Sequence, residues 1–555
     1  MTQPLTDDEF VIAYHERTKH HYHRTAASLG YLDWDSQPDP FRRFAGAELL
    51  PLPLAATVPD SPFDRLYAAA AVPAAPLCVA ALAQFFRLAL SVTAWKSAGG
   101  ARWSLRANPS SGNLHPTEGY AVLPAVGGWR GAAGVHHYAP REHGLEQRCA
   151  CDAEVVAARL PAGAFLVGLT SIAWREAWKY GERAFRYCQH DIGHALGSLR
   201  YAAAALGWRL WLHDGVSDAC IASLLGVDRE ADYAGAEREA PECLVLVATG
   251  DGAPRPLADA IAALARDLGD RRWHGQANVL STQHVADWDV IDEVTARSRK
   301  STGAAPPSPD WSDLPHAVQL HPGPARASSP GARAVILGRR SAVAMDARTA
   351  IGRDTFLHMM ARLVPQHGNA AMPFDLIPWR PHVHLGLFVH RVGGLARGLY
   401  ALVRDPAKVV RLRAAMRPEF VWRKPEPCPP GLELYLLAEG AYEQTATAVS
   451  CGQEIAGDGA FALAMLGELF DGVRGHGAWF YRRLFWEAGL VGQVLYLEAE
   501  AASVRATGIG CYFDDPAAGV FGLRGTSIAS LYHFTVGGPV EDSRLTTSPG
   551  YPARP

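Results

Sequence analysis

The chain lacks long apolar runs. Charges or glycines break every hydrophobic stretch of its 555 residues well before the roughly 18 needed to cross a bilayer, so no membrane partner is expected. It also lacks an excess of either charge: 53 Lys and Arg stand against 56 Asp and Glu, a formal net charge of −3. Without a basic surplus to meet phosphates, no nucleic-acid partner is expected. Cysteine is sparse and odd in number, nine scattered along the chain. That argues against a disulfide framework and for reduced thiols, so a cytoplasmic location is expected. Cys149-Ala150-Cys151 is the one close pair, and its spacing suits neither CxxC redox chemistry nor a zinc ribbon, so it is read as inert. The opening MTQPLTDDEF has neither a basic n-region nor an apolar h-region, so no secretory signal is expected. The histidines His15, His20, His21 and His23 fit no metal-ligand spacing and read as surface positions; no metal is expected.

What remains is an ordinary globular composition, 48% hydrophobic and 20% charged, long enough for several domains. Residues 301–333 hold seven prolines and no helical periodicity, the mark of an extended connector. The expected division is a first domain over 1–265, a Pro-rich connector over 266–333 and a second domain over 334–555. The two parts share words in the same order. VGGWRGAAGVHHY (Val126–Tyr138) is answered by VGGLARGLY (Val392–Tyr400), and AWKY (Ala177–Tyr180) by AWFY (Ala478–Tyr481). DIGHALGSLRYAAAALG (Asp191–Gly207) is answered by EAGLVGQVLYLEAEAAS (Glu487–Ser503). One long repeat implies a duplicated domain rather than a solenoid. Ile192, Ala195, Leu196, Leu199, Ala203 and Leu206 keep helical spacing, with Gly207 suited to the helix end. FLVGLTSI (Phe165–Ile172), WRLWLH (Trp208–His213) and ECLVLVATG (Glu242–Gly250) read as strands. Each half is thus an α+β unit with a small sheet, and two such units pack most simply as an internal pseudo-dimer.

The chemistry concentrates in few places. In ANPSSGNLHPTEGY (Ala107–Tyr120), Pro109 fixes φ and Gly112 permits a tight turn. Ser110, Ser111 and Asn113 offer donors and acceptors to a planar polar edge. Alone, the loop is equally an ordinary Ser/Asn turn. In the second half Arg339-Arg340-Ser341 follows a short apolar run; paired guanidiniums fork onto phosphate and ring carbonyl oxygens, though a lone RRS is more often a solvated basic pair. Lys179-Tyr180, in WKYGERAFRY, places a phenol beside an ammonium, which would favour the phenolate and make a base. The alternative is an exposed lysine next to a core tyrosine.

Taken together, RRS and PSSxNxxP resemble the flavin-binding pattern of the nitroreductase-like FMN enzymes. YHERTKHHYHRT (Tyr14–Thr25), LDWDSQPDPFRRF (Leu32–Phe44) and PSSGNLHPTEGY are similar to the SagB-type branch, which includes azoline dehydrogenases. The resemblance implies two tandem nitroreductase-like domains and FMN as cofactor. It also implies that GIGCYFDD (Gly508–Asp515) supplies backbone at Gly508 and Gly510 against the flavin, and that Arg544, in DSRL, binds phosphate. Lys179 and Tyr180 match the branch's catalytic Lys-Tyr pair. The parts are divided between the halves. Arg42-Arg43-Phe44 lacks the serine of RRS, VPQHGNAAMPF (Val364–Phe374) lacks the serines of PSS, and Phe480-Tyr481 lacks the lysine. One FMN site per chain is therefore expected, with Pro109, Ser110, Ser111, Asn113 and His115 from one half and Arg339, Arg340 and Ser341 from the other. His115 stands where the family commonly has Gln. The expected function is an FMN-dependent dehydrogenase acting on an azoline-like C–N substrate, small or peptide-borne, with other peptide-modifying enzymes as further partners. One alternative is an NAD(P)H-dependent nitro or quinone reductase. Another is a non-catalytic scaffold with a decayed flavin site. A monomeric pseudo-dimer and a homo-oligomer are both compatible with the sequence.

Overall fold

A computed structural model describes the chain except residues 1–3, 56–57, 69, 251–256, 302, 304–313, 315–317, 319–328, 367–371, 526 and 553–555. Two antiparallel sheets organise it. In the first half the strands are β1 (Glu48–Pro51), β2 (Thr117–Leu123), β3 (Ala133–Ala139), β4 (Gly144–Cys151), β5 (Ala164–Ser171), β6 (Arg209–Leu212) and β7 (Ala240–Ala248). They lie in the order β1-β4-β3-β2-β5-β7-β6. In the second half they are β8 (Val383–Val389), β9 (Gly398–Leu402), β10 (Leu434–Glu439), β11 (Phe461–Gly467), β12 (Arg505–Ile509) and β13 (Ala529–Gly537). Their order is β10-β9-β8-β11-β13-β12. Apart from the extra edge strand β1, the two orders are the same. The repeated sequence words are thus a repeated topology, and the α+β pseudo-dimer expectation holds.

The strands read from sequence sit in β5, β6 and β7. The near-continuous apolar character of β5 and β7 follows from burial on both faces, whereas the edge strand β6 alternates. Phe165, Val167 and Leu169 of β5 face the central core, while Leu166 faces a separate outer cluster under helices Asp218–Leu225 and Ala258–Gly269. The second sheet has its own outer cluster around Phe388, Leu399 and Leu466.

The helices of the central core include α1 (Ala173–Tyr180) and α2 (Ala184–Ala205) of the first half and α3 (Leu469–His476) and α4 (Phe480–Ala501) of the second. α2 and α4, each 22 residues, are buried almost all round. They cross at a pair of glycines. A Cβ on Gly193 would lie 2.3 Å from the Trp486 carbonyl, and one on Gly489 would lie 2.3 Å from that of His190. Only glycine lets the two backbones approach so closely. One core then runs through both halves, containing Val167 and Leu199 as well as Leu387 and Leu490.

Two segments tie the halves further. The tail strand Thr546–Pro549 pairs with Val92–Ala98 of the first half, and Tyr551 donates from its hydroxyl to the Pro140 carbonyl at 2.5 Å. At the other end, His15 and His20 are buried, not superficial. The His15 Nδ1 lies 3.2 Å from the Tyr481 hydroxyl, and the His20 N–H donates to Asp514 at 2.9 Å. The Asp514 carboxylate that His20 meets is buried between Arg183 and Arg186 and held well below the ordinary range despite burial.

The connector differs from expectation. Residues 266–300 are built into the first half: Gln276–Ala277 pairs with Phe44–Ala45, and the helix Asp289–Arg297 buries Val290, Ile291 and Val294. Those three apolar positions lie on one helical face, a pattern overshadowed by the prolines that follow. The second half starts its first helix at Ala332. Most of 301–331, and the middle of VPQHGNAAMPF, lie outside the described residues.

Candidate functional site

The hairpin Val92–Ala98/Ala101–Arg106 delivers the chain into the NPSSGN loop. Gly112, Asn113 and His115 all take left-handed φ, +57°, +60° and +56°, costly for the non-glycines unless the surroundings hold them. They are held. The Ser111 N–H and hydroxyl both donate to the Asp191 carboxyl of α2, at 3.0 Å for the closer oxygen. Asn113 donates from Nδ2 to the Ser104 carbonyl at 2.9 Å, and the His115 N–H donates to Ser110 Oγ at 2.7 Å. The loop's polar side chains therefore fix its own shape. Gly112 also has a spatial reason: a Cβ there would lie 2.6 Å from the Tyr180 hydroxyl.

Opposite stands the second half. Arg339 stacks its guanidinium over the Tyr496 ring, 4.9 Å from the centroid, and donates from Nη2 to the Arg106 carbonyl at 2.8 Å. Its Nε is buried without a partner. Arg340 donates to the Leu337 carbonyl at 2.9 Å and to Thr93 Oγ1 at 3.2 Å. Tyr496, on α4, bonds to Ser341 Oγ at 2.8 Å and accepts from the Gly508 N–H at 3.0 Å, fixing RRS beside GIG. Arg505 pairs with Glu500. Burial, then repulsion from Arg339 and Arg505, lowers Arg340 to about 10. Three guanidiniums thus crowd around one carboxylate, and the cluster is short of negative charge.

These two walls enclose one cavity of about 700 Å³. Pro109, Ser110, Ser111, Asn113, His115, Tyr180, Arg339, Arg340, Ser341, Gly508 and Gly510 all line it. Two expected residues do not. Lys179 is half-buried beside the cavity, its Nζ 5.2 Å from the Tyr180 ring centroid. Arg544 points to solvent, 84% exposed, and pairs with Asp542. Sequence reasoning missed Tyr187, His194, Tyr496, Arg505 and Tyr532, which also line the cavity. Tyr187 and Tyr496 lie on the long helices, where burial on all sides left no polar stripe to single them out. Tyr187 donates to the Gly510 carbonyl at 3.0 Å and accepts from Arg183 at 3.1 Å, which anchors the GIG loop.

The electrostatics reverse one expectation. The Tyr180 phenol is not activated by Lys179: burial pushes it well above its ordinary value, and Glu176, Tyr187 and Asp191 add to the rise. It is a held proton, not a ready base. Behind it lies a buried carboxyl pair. Burial pushes Asp191 up to about 8 against the Ser111 hydrogen bonds. Glu176, fully buried with neither oxygen partnered, is pushed up by burial and then by Asp191. His115 is held neutral by burial and by Arg106.

No protein-family model matches the chain, and no curated protein matches it. Solved structures do. A proposed nitroreductase from Anabaena variabilis is 21% identical and superposes with a TM-score of 0.68 over 96% of this chain and 99% of its own. The fold is nitroreductase-like. Weaker likenesses include the Escherichia coli microcin synthetase McbBCD complex with truncated pro-MccB17 bound, 18% identical over 45% of this chain and 94% of that one, TM-score 0.28. A proposed nitroreductase from Exiguobacterium sibiricum in complex with FMN is 13% identical over 38% of this chain and 88% of that one, TM-score 0.21. Among the described residues no helix of this nitroreductase-like chain is long and apolar enough to cross a membrane.

Proposed function

We propose that the chain is an FMN-dependent oxidoreductase, with one flavin per chain between its halves, that dehydrogenates an azoline-like or related C–N substrate, small or peptide-borne. Support comes chiefly from one observation: PSSGN of the first half and RRS and GIG of the second line a single cavity. The donor set fits the group. Arg339, with its unpartnered Nε, Arg340 and Arg505 suit a phosphate dianion. The tight NPSSGN turn and the Gly508–Gly510 backbone suit the edge of a planar ring. A cavity of about 700 Å³ lies in the usual range for cofactor sites. Bound FMN supplies hydride acceptance and electron transfer to dioxygen or another acceptor, leaving orientation and proton handling to the protein.

Tyr180 is the proton-handling group of this proposal. Its hydroxyl lies over Gly112 at the cavity wall, and burial, with Glu176, Tyr187 and Asp191 adding to it, keeps it protonated. Dehydrogenation needs an acceptor for a carbon-bound proton, so turnover through Tyr180 rises with pH as the phenolate fraction grows. The same observation favours a second reading, NAD(P)H-dependent reduction of a nitro compound or quinone. There a neutral Tyr180 donates its proton, and turnover stays flat through neutral pH.

The experiment is to count flavin released from purified, FMN-reconstituted protein, then to follow flavin absorbance with NADPH or with an azoline peptide. One FMN per chain, bleached by the peptide and abolished in turnover but not in flavin content by Tyr180→Phe, is the expected result. Bleaching by NADPH alone selects the reductase. No retained flavin overturns both.

A further inference from the structure

Two of the nine cysteines, distant in sequence, meet at the cavity. Cys511 follows Gly510 in GIGCYFDD, lines the cavity and is exposed. Cys451 follows the helix Glu443–Val449. Their sulfurs lie 2.7 Å apart, inside the contact distance of unbonded sulfurs. The approach is built, not incidental. Gln453 donates from Nε2 to the carbonyls of both Ser450 and Cys511, at 2.8 Å each. The Phe513 N–H donates to the Val449 carbonyl at 2.8 Å. The two segments are therefore stapled on both sides of the sulfur pair. Cys451 itself takes φ +54°, a left-handed backbone that a non-glycine adopts only under constraint. The other seven cysteines are buried or half-buried, and none makes a sulfur–sulfur contact among the described residues.

We propose that Cys451 and Cys511 are a redox-active dithiol at the cavity rim whose substrates are low-molecular-weight disulfides. The exposed Cys511 thiolate attacks one sulfur of the disulfide RSSR, forming a mixed disulfide and releasing RS⁻. Cys451 then loses its proton and attacks the Cys511 sulfur, displacing the second RS⁻. The net reaction oxidises the dithiol to an intramolecular disulfide and reduces RSSR to two RSH, with two electrons and two protons moved. The chemistry suits the geometry: Cys511 is the sulfur that solvent reaches, and Cys451 is already in place as the resolving partner. The Cys451 thiol, followed by the Arg183 charge, favours the Cys511 thiolate and holds it below its ordinary value against the partial desolvation of its sulfur. Because Gly508 and Gly510 share the Cys511 loop, the bond would also fix the cavity wall opposite NPSSGN. This site needs no bound flavin and stands apart from the function proposed above.

The test uses the full chain, reduced, freed of reductant and equilibrated in glutathione buffers of graded GSH/GSSG ratio. Thiols are counted, and a non-reduced digest is mapped by mass spectrometry. Two thiols per chain are expected to disappear, with the Cys451–Cys511 linkage recovered and reversed by dithiothreitol. Cys451→Ser is expected to trap glutathione on Cys511, whereas Cys511→Ser leaves Cys451 unmodified. Retention of all nine thiols in excess GSSG overturns the proposal, as does a linkage between any other pair. Equal trapping in both serine variants overturns the assignment of Cys511 as the attacking sulfur.

Discussion

Replacing Asp191 by Asn should stabilise the protein, and increasingly so as pH rises. Asp191 is 1% exposed, and burial raises its carboxyl from 3.8 to about 8. A folded-state value above the unfolded one means the folded protein binds the extra proton. Its stabilising effect is therefore complete below pH 3.8 and is lost as pH climbs through about 8. At about 1.4 kcal/mol per pH unit, the wild type loses roughly 4 kcal/mol from this group between pH 5 and pH 9. Asn has the same shape, keeps a carbonyl to accept the Ser111 N–H, and cannot ionise, so Asp191→Asn escapes that loss. Glu176 does not undo the gain, because burial is the larger cause of its own raised value. Unfolding entropy of about 2 cal/mol/K per residue converts the difference to about 3 °C in apparent Tm if the chain unfolds as one, and about twice that if the first half unfolds alone. The assay is a set of thermal melts of both proteins at pH 5, 7 and 9. A mutant less stable than wild type at every pH would refute the reasoning. It would mean that Asp191 is ionised and that charge-assisted bonds to Ser111 hold the NPSSGN loop.

Two further perturbations test the site and the core. Arg339→Ala should weaken FMN binding about ten- to hundred-fold, the worth of one or two charge-assisted hydrogen bonds. Arg544→Ala should leave it unchanged, since that side chain points to solvent; fluorescence titration with FMN reads both. His137, buried between Glu118 and Glu146, is raised from 6.5 to about 9 because those two carboxylates together outweigh the burial that would lower it. Its stabilisation, on the order of 3 kcal/mol, is complete below pH 6.5 and lost as pH rises through about 9. The melting gap between wild type and His137→Gln should therefore shrink over that window, and a constant gap would show that His137 is uncharged.

The sequence displayed what repeats and what alternates. β5, β6, β7 and α2 were legible because apolar spacing survives into the folded state, and the repeated words anticipated two sheets of one strand order. The sign of the Tyr180 shift departs from the sequence expectation because burial and carboxyl groups, not the adjacent Lys179, dominate at the phenol. On a helix the side chain one position away points off to the side, whereas the one four positions earlier shares the face. For Tyr180 that residue is Glu176, which adds to a rise that burial causes first. Asp191 needed the fold: nothing in DIGHALG links its first residue to a serine eighty positions earlier. Connector residues 276–297 were hidden by composition, since a proline-rich stretch colours its neighbours in any window average.

The duplication also explains why the halves differ where chemistry is concerned. Their strand order is shared, so each could in principle offer the same walls. Yet the basic pair of the first half is consumed: Arg42 lies 3.3 Å from Glu239, fully buried, and Arg43 pairs with Glu142 and Glu146. Tyr481, which answers Tyr180 in the repeated word, is fully buried against His15. Arg339 and Arg340, by contrast, bond to carbonyl and hydroxyl oxygens and share the single carboxylate of Glu500 with Arg505 at a cavity. Guanidiniums that outnumber their carboxylates are costly to hold away from water, and the second half alone keeps that imbalance at the cavity wall.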